Sequence, residues 1–244
     1  VIKYILLILS FISFPSLGQE EESDVSKNLI PITQKFLLNL PSFFKTPIQD
    51  FGGFVPFKRD TAEKIAWGLL NLNWTYLGLR NTELKDDDIE IVFHAFDKNT
   101  SIKTLDLSLN HLTDKSVKLI ASTLSHNKTL TTLNLELNSI GTKGFIELSL
   151  ALIENKALKS LNLGFNYGGE EGLFVLANAL KKNNTLKELD ISCNTSFFRK
   201  TEDLAKILKH NKSLAKIVFR YSGLTSSDVL TFSEIMNRKI DIFT

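Results

Sequence analysis

Residues 104–114 read Thr104-Leu105-Asp106-Leu107-Ser108-Leu109-Asn110-His111-Leu112-Thr113-Asp114. The triplet Leu105-Asp106-Leu107 alternates apolar, polar, apolar, the period of a short strand with leucines inward and the aspartate outward. Asn110 then marks a turn, Leu112 returns to the core, and Asp114 opens a helix whose inward face carries Val117, Ile120, Ala121 and Leu124. The same string recurs along the chain. Leu77, Leu105, Leu133, Leu161, Leu189 and Ile217 follow one another at intervals of 28 residues, with Leu79, Leu107, Leu135, Leu163, Ile191 and Phe219 two residues later in each case. Six units in one register, without an insertion, specify a repeat array of strand-and-helix modules.

Two asparagine columns run through the array. Asn110, Asn138, Asn166 and Asn194 occupy the turn after the strand, with Thr82 and Ser222 in the outer units. A buried amide there is expected to bond backbone groups of adjacent units, because unpaired buried polar groups are costly. Asn71, Asn99, Asn127, Asn155, Asn183 and Asn211 follow the helices. Since asparagine tolerates the left-handed conformation, this column is expected to end them. Helix starts are expected at Asp86, Asp114, Thr142, Glu170 and Ser226, and a partial unit at about residues 61–70, ahead of Asn71. Six sequons for glycosylation lie at Asn73, Asn99, Asn127, Asn183, Asn194 and Asn211. Five of them fall in the asparagine columns, which explain those residues without glycans.

The string LxxLxLxxN followed by a helix resembles the leucine-rich repeats of the ribonuclease-inhibitor type, found also in NOD-like receptors and in the GTPase activator of Ran. The resemblance covers residues 61–244. It implies an α/β leucine-rich-repeat solenoid, a right-handed βα superhelix with parallel strands on a concave face and helices on a convex one. It also implies a binding protein whose partner is another protein.

Outside the array the chain reads differently. Lys3, the apolar run Tyr4 to Phe14 and the small residues Ser16 and Gly18 have the form of a secretory signal peptide over residues 1–18. A buried N-terminal helix and an uncleaved anchor are the competing readings. Residues 19–60 are broken by Pro31, Pro41, Pro47 and Pro56 and carry Phe36, Phe43, Phe44, Phe51, Phe54 and Phe57. Such a segment is expected to lie against the folded body as a cap, with contact to a membrane surface as the sharper alternative. At the other end Ile240, Ile242 and Phe243 sit where a further strand would begin, which leaves open that the chain is part of a longer array.

Composition narrows the function. Of 244 residues, 43% are apolar and 23% charged, as in ordinary folded proteins. One cysteine permits no internal disulfide, and no apolar run is long enough to span a bilayer once a signal is removed. The 29 basic and 27 acidic residues leave a net charge of +2, which argues against bulk binding of nucleic acid. Neither His94, His111, His126 and His210 nor Cys193 has the company that catalysis or metal binding needs, so no enzyme, metal or cofactor is expected.

A solenoid binds through the outward residues of its strands and the turns that follow. In the middle units these include the acids Asp106, Glu136, Glu188 and Asp190 without a base, whereas Arg80, Lys216 and Arg220 occupy the outer rows. The residue before the turn asparagine is Leu109, Leu137, Phe165, Cys193 and Tyr221, with Asn81 in the first unit. This column forms either an exposed ridge or a self-packed row. Units four and five have Gly168 and Ser196 where an apolar residue is expected, and offer Tyr167, Phe197 and Phe198 nearby. The candidate partner-binding residues are therefore Asp106, Glu136, Phe165, Tyr167, Glu188, Asp190, Phe197, Phe198, Arg220 and Tyr221. The expectation is an exported protein that binds a protein partner of unknown identity, or alternatively an intracellular enzyme inhibitor or GTPase regulator.

Overall fold

The computed structural model describes residues 46–53, 59–195, 200–237 and 241–243. The chain divides between Pro47 and Ile48, and the fold described below lies in the second unit. The expected signal at 1–18 and most of the segment 19–60 fall outside the described residues, as do Phe197 and Phe198.

Strands and helices alternate in chain order: β1 (Ile48–Asp50), α1 (Arg59–Asn71), β2 (Tyr76–Gly78), α2 (Asp86–Phe96), β3 (Thr104–Asp106), α3 (Asp114–His126), β4 (Thr132–Asn134), α4 (Thr142–Glu154), β5 (Ser160–Asn162), α5 (Gly169–Leu180), β6 (Glu188–Asp190), α6 (Thr201–Leu208), β7 (Lys216–Val218), α7 (Ser226–Met236) and β8 (Asp241–Phe243). The strands form one parallel eight-stranded sheet in sequence order. Inward leucines pair in register, Leu77 with Leu105, Leu105 with Leu133, and so on to Leu189 with Ile217. This is the expected α/β leucine-rich-repeat solenoid, in which each unit buries its apolar face on its neighbours.

Both ends of the sheet depart from the sequence reading. β1 pairs with β2 through Gln49 and Leu77, so the sheet begins before residue 61. A glutamine fills the inward position that elsewhere holds leucine, which hides this strand from any search for the repeat. Phe51, just beyond it, is buried and its ring lies 6.4 Å from that of Trp74, so this part of the Phe-rich segment does pack on the body. At the far end β8 pairs Ile242 with Ile217, earlier than the period would place it, so the strand thought missing is present.

The turn asparagines behave as expected. Asn166 donates from Nδ2 to the carbonyls of Leu135, Leu163 and Gly164 at 2.9, 3.1 and 3.2 Å, and its Oδ1 accepts the Ile140 N–H at 3.1 Å. Asn110, Asn138 and Asn194 repeat this pattern. The helix-ending column is a correction. Asn127 and Asn155 are extended, with φ of −67° and −66°, and are not left-handed. They work through their side chains: Asn155 Oδ1 accepts the Ala157 and Leu158 N–H groups, and its Nδ2 donates to the Leu124 and Asn127 carbonyls of the preceding unit. The second column is thus another ladder between units. Buried amides lock the sheet side and the helix ends of the solenoid together.

Helix N-termini are also tied across units. The Asp86 carboxylate, in the first turn of α2, accepts from the backbone N–H and hydroxyl of Thr113 and of Ser116 at the start of α3. Burial alone would raise the Asp86 carboxyl, but hydrogen bonds from Ser116 and Thr113 outweigh it and hold it below its ordinary value. Asp114 does the same for α4, accepting from Gly141 and Gly144 N–H at 2.7 and 2.9 Å.

Candidate protein-binding face

On the outward side of the strands, the middle residue of each triplet is aspartate or asparagine in most units, and its side chain folds back on the chain. Asp106 Oδ1 accepts from Ser108 N–H at 3.0 Å and from the Ser108 hydroxyl at 2.6 Å. Asn134, Asn162 and Asp190 accept the N–H two residues on, at 3.1, 2.9 and 2.9 Å. These turns close each strand after three residues. Asp106 and Asp190 therefore each commit one carboxylate oxygen locally and leave the other to the concave face. Glu136 lies among them, its Oε2 accepting from Asn162 Nδ2 of the next strand at 3.2 Å, while Glu188 stands exposed at the start of β6. The four acids share one concave strip, and Arg220 lies exposed beyond β7.

Tyr76 is one of the outward strand residues that the repeat phase places on this face, although it is not among the candidate site residues. Tyr76 stands at the start of β2, half-buried, and its ring occupies space left open by Gly78, where a Cβ would come within 2.9 Å of the phenol. Burial, and then the Asp50 and Asp106 carboxylates, push this phenol above its ordinary value. Asp50 belongs to the hidden strand β1, so the acidic strip extends one unit further than the leucine pattern reveals.

The residue before the turn asparagine is the most unusual position. Leu109, Leu137, Phe165, Cys193 and Tyr221 all hold φ between 48° and 57°, with Asn81 at 52°. This is the left-handed region, which costs a side chain with a Cβ roughly 1–2 kcal/mol and favours asparagine or glycine. The first unit follows that preference; the next five place leucine, phenylalanine, cysteine and tyrosine there. Burial does not compensate throughout, since Leu137 is 40% exposed and Tyr221 is 74% exposed. The Phe165 and Tyr221 rings meet over the intervening Cys193 unit with centroids 5.6 Å apart. Both readings of the column hold in part: the ridge packs on itself and also faces solvent. Tyr167 is 70% exposed, and it does not fill the vacancy left by Gly168. The Phe145 side chain of α4 fills it, its ring standing 2.7 Å from where a Gly168 Cβ would lie.

Among the described residues, no group of three or more histidine, cysteine or acidic side chains could hold a metal ion. No helix of them is long and apolar enough to cross a membrane.

A leucine-rich-repeat family model matches residues 98–121, 126–149 and 182–195. Those three spans are similar to leucine-rich repeats. The matched spans hold the strands β3, β4 and β6 and the first turns of α3 and α4, while the full LxxLxLxxN string Leu158 to Asn166, with β5, lies outside them. No curated protein matches the sequence. Among solved structures, leiomodin-1 actin-binding site 2 is similar at 25% identity with a TM-score of 0.51, over 62% of this chain and 86% of that one.

Proposed function

We propose that this leucine-rich-repeat protein is a non-catalytic, exported or envelope-exposed module that docks a protein partner through its concave face and the ridge of turns beside it. Proteins built of leucine-rich repeats commonly bind other proteins. The observation that carries the reading here is the left-handed column: five successive units hold apolar side chains in a backbone conformation that disfavours them, and leave Leu137 and Tyr221 open to solvent. Strain kept without burial is the mark of a working surface. The acid strip alongside attracts a basic patch and guides its approach, while the ridge supplies the apolar anchors. Export rests on Lys3, the apolar run that follows it, and the small residues Ser16 and Gly18.

Actin is the first defined partner to assay, because the structural neighbour is named for an actin-binding site. For whichever protein binds, replacing Leu137, Phe165 and Tyr221 together by alanine is expected to weaken the affinity by about a hundredfold or more, as loss of clustered anchors does. Leu150→Ala on helix α4, whose exposure of 57% lies between those of Leu137 and Tyr221, is expected to leave it unchanged. Calorimetric titration of both variants checks this, and retained affinity in the triple variant would contradict the ridge.

A further inference from the structure

The near-neutral net charge conceals a strong separation. Because the strands are parallel and every helix runs back against them, all helix ends and strand starts lie along one edge of the solenoid. Five consecutive connections on that edge, residues 97–103, 127–131, 155–159, 181–187 and 209–215, hold ten lysines, all exposed, against a single acid, Asp97, whereas residues 72–75 between α1 and β2 carry no charge. Asp97 is itself bound to His126 at 2.9 Å. The opposite edge carries nine acids in the first turns of α2, α3, α5, α6 and α7, against the lysines Lys85, Lys115, Lys143 and Lys200 at the helix starts.

Helix polarity accounts for part of this pattern: Lys156, for example, donates to the Ile153 carbonyl at the end of α4 at 2.8 Å. It does not account for Lys103, Lys159 and Lys187. These three share one repeat phase directly before their strands, well past the helix ends, and Lys187 N–H donates to the Lys159 carbonyl at 2.7 Å. Adjacent strands lie about 4.8 Å apart, so two like charges stand side by side there, an arrangement that is unfavourable without a counter-charge.

We propose that this edge docks on the surface of an anionic lipid bilayer. The charge is spread along five consecutive units and does not converge on a pocket, which suits a diffuse, extended anionic surface. All ten cations are lysine; none of the five segments contains arginine, phenylalanine, tyrosine or tryptophan, the groups that clamp phosphates bidentately or stack most strongly on bases. A bilayer surface therefore fits better than a nucleic acid. The ridge lies past the strand ends, toward the acidic edge, so a molecule held in this way keeps its protein-binding face free. The inference does not depend on that face.

The test is co-sedimentation of the full chain with vesicles of 30% phosphatidylglycerol in phosphatidylcholine and with pure phosphatidylcholine vesicles, at 50 and 500 mM salt. The chain is expected to bind the anionic vesicles at low salt, to be released at high salt, and to show much weaker binding to neutral ones. Replacing Lys103, Lys159 and Lys187 by glutamate is expected to weaken binding about a hundredfold. Glutamine at the same three positions is expected to weaken it less but clearly. Glutamate at Lys64, Lys118 and Lys143, which lie within helices, makes the same change in net charge and is expected to have little effect. Equal binding to neutral vesicles, as an apolar N-terminal run alone would give, would overturn the proposal. So would undiminished binding by the glutamate and glutamine variants, or tighter binding to duplex DNA in a mobility-shift assay than to the anionic vesicles.

Discussion

Asn166→Ala is expected to destabilise the solenoid by about 3 kcal/mol, because it strips a buried site of four hydrogen bonds at once. The Asn166 amide joins two units: it holds the Leu135 carbonyl and the Ile140 N–H of the preceding unit, and the Leu163 and Gly164 carbonyls of its own. Asn166 is 3% exposed, so water does not replace these partners without opening the turn. In a linear array each unit is stabilised by its neighbours, so the damage is expected to spread to both sides and to lower the cooperativity of unfolding. Asn184→Ala supplies the contrast. That side chain is exposed and makes one marginal contact, to the Lys182 carbonyl at 3.5 Å, and its loss is expected to cost under about 0.5 kcal/mol. Urea unfolding followed by circular dichroism measures both.

The second large effect concerns a pair whose sizes are exchanged between neighbouring units. In the unit before it, Val117 and Ile140 stand at the same repeat phase as Phe145 and Gly168, and both lie beside Gly144. A large ring from the helix fills the space that an aliphatic side chain fills from the turn. Gly168 has φ of −61°, so its backbone accepts any residue and only space limits it. Gly168→Ile alone is expected to cost about 3 kcal/mol by driving a side chain into the Phe145 ring. Phe145→Val alone is expected to cost about 2–3 kcal/mol through the cavity it opens, since Phe145 is fully buried. Together they rebuild the Val117–Ile140 arrangement, and the double variant is expected to lie within about 1 kcal/mol of the parent. The coupling energy from a double-mutant cycle checks this, and simple additivity would contradict it.

These two sites also mark how far the sequence could be read. The 28-residue period places the inward leucines, the helix starts at Asp86, Asp114, Thr142 and Ser226, and the turn asparagines, because each is a local choice repeated in register. What is not repeated stays hidden. The filling of the Gly168 vacancy comes from Phe145, a residue of the preceding helix that no local rule connects to that turn. β1 is invisible because Gln49 stands where leucine is expected, and Asp50 and its contact with Tyr76 are lost with it. The left-handed backbone is a further case. The chemistry of asparagine suggested it for the helix-ending column, but it falls one residue before the turn asparagine, on residues whose own preferences oppose it. Only the geometry turns Leu137, Phe165 and Tyr221 from a possible core row into a ridge under strain. The lysine edge is hidden in the same way, since a net charge of +2 carries no record of which end of each unit the charges occupy.

The partner is expected to sit on the ridge and concave face and not on the helices. A photo-reactive phenylalanine analogue in place of Tyr221, and separately in place of Leu150, tests it most directly, since both side chains are exposed, one on the ridge and the other on helix α4. The account predicts a covalent adduct with the same partner protein from position 221 and none from position 150. An adduct formed from position 150 alone, or equally from both, would contradict it.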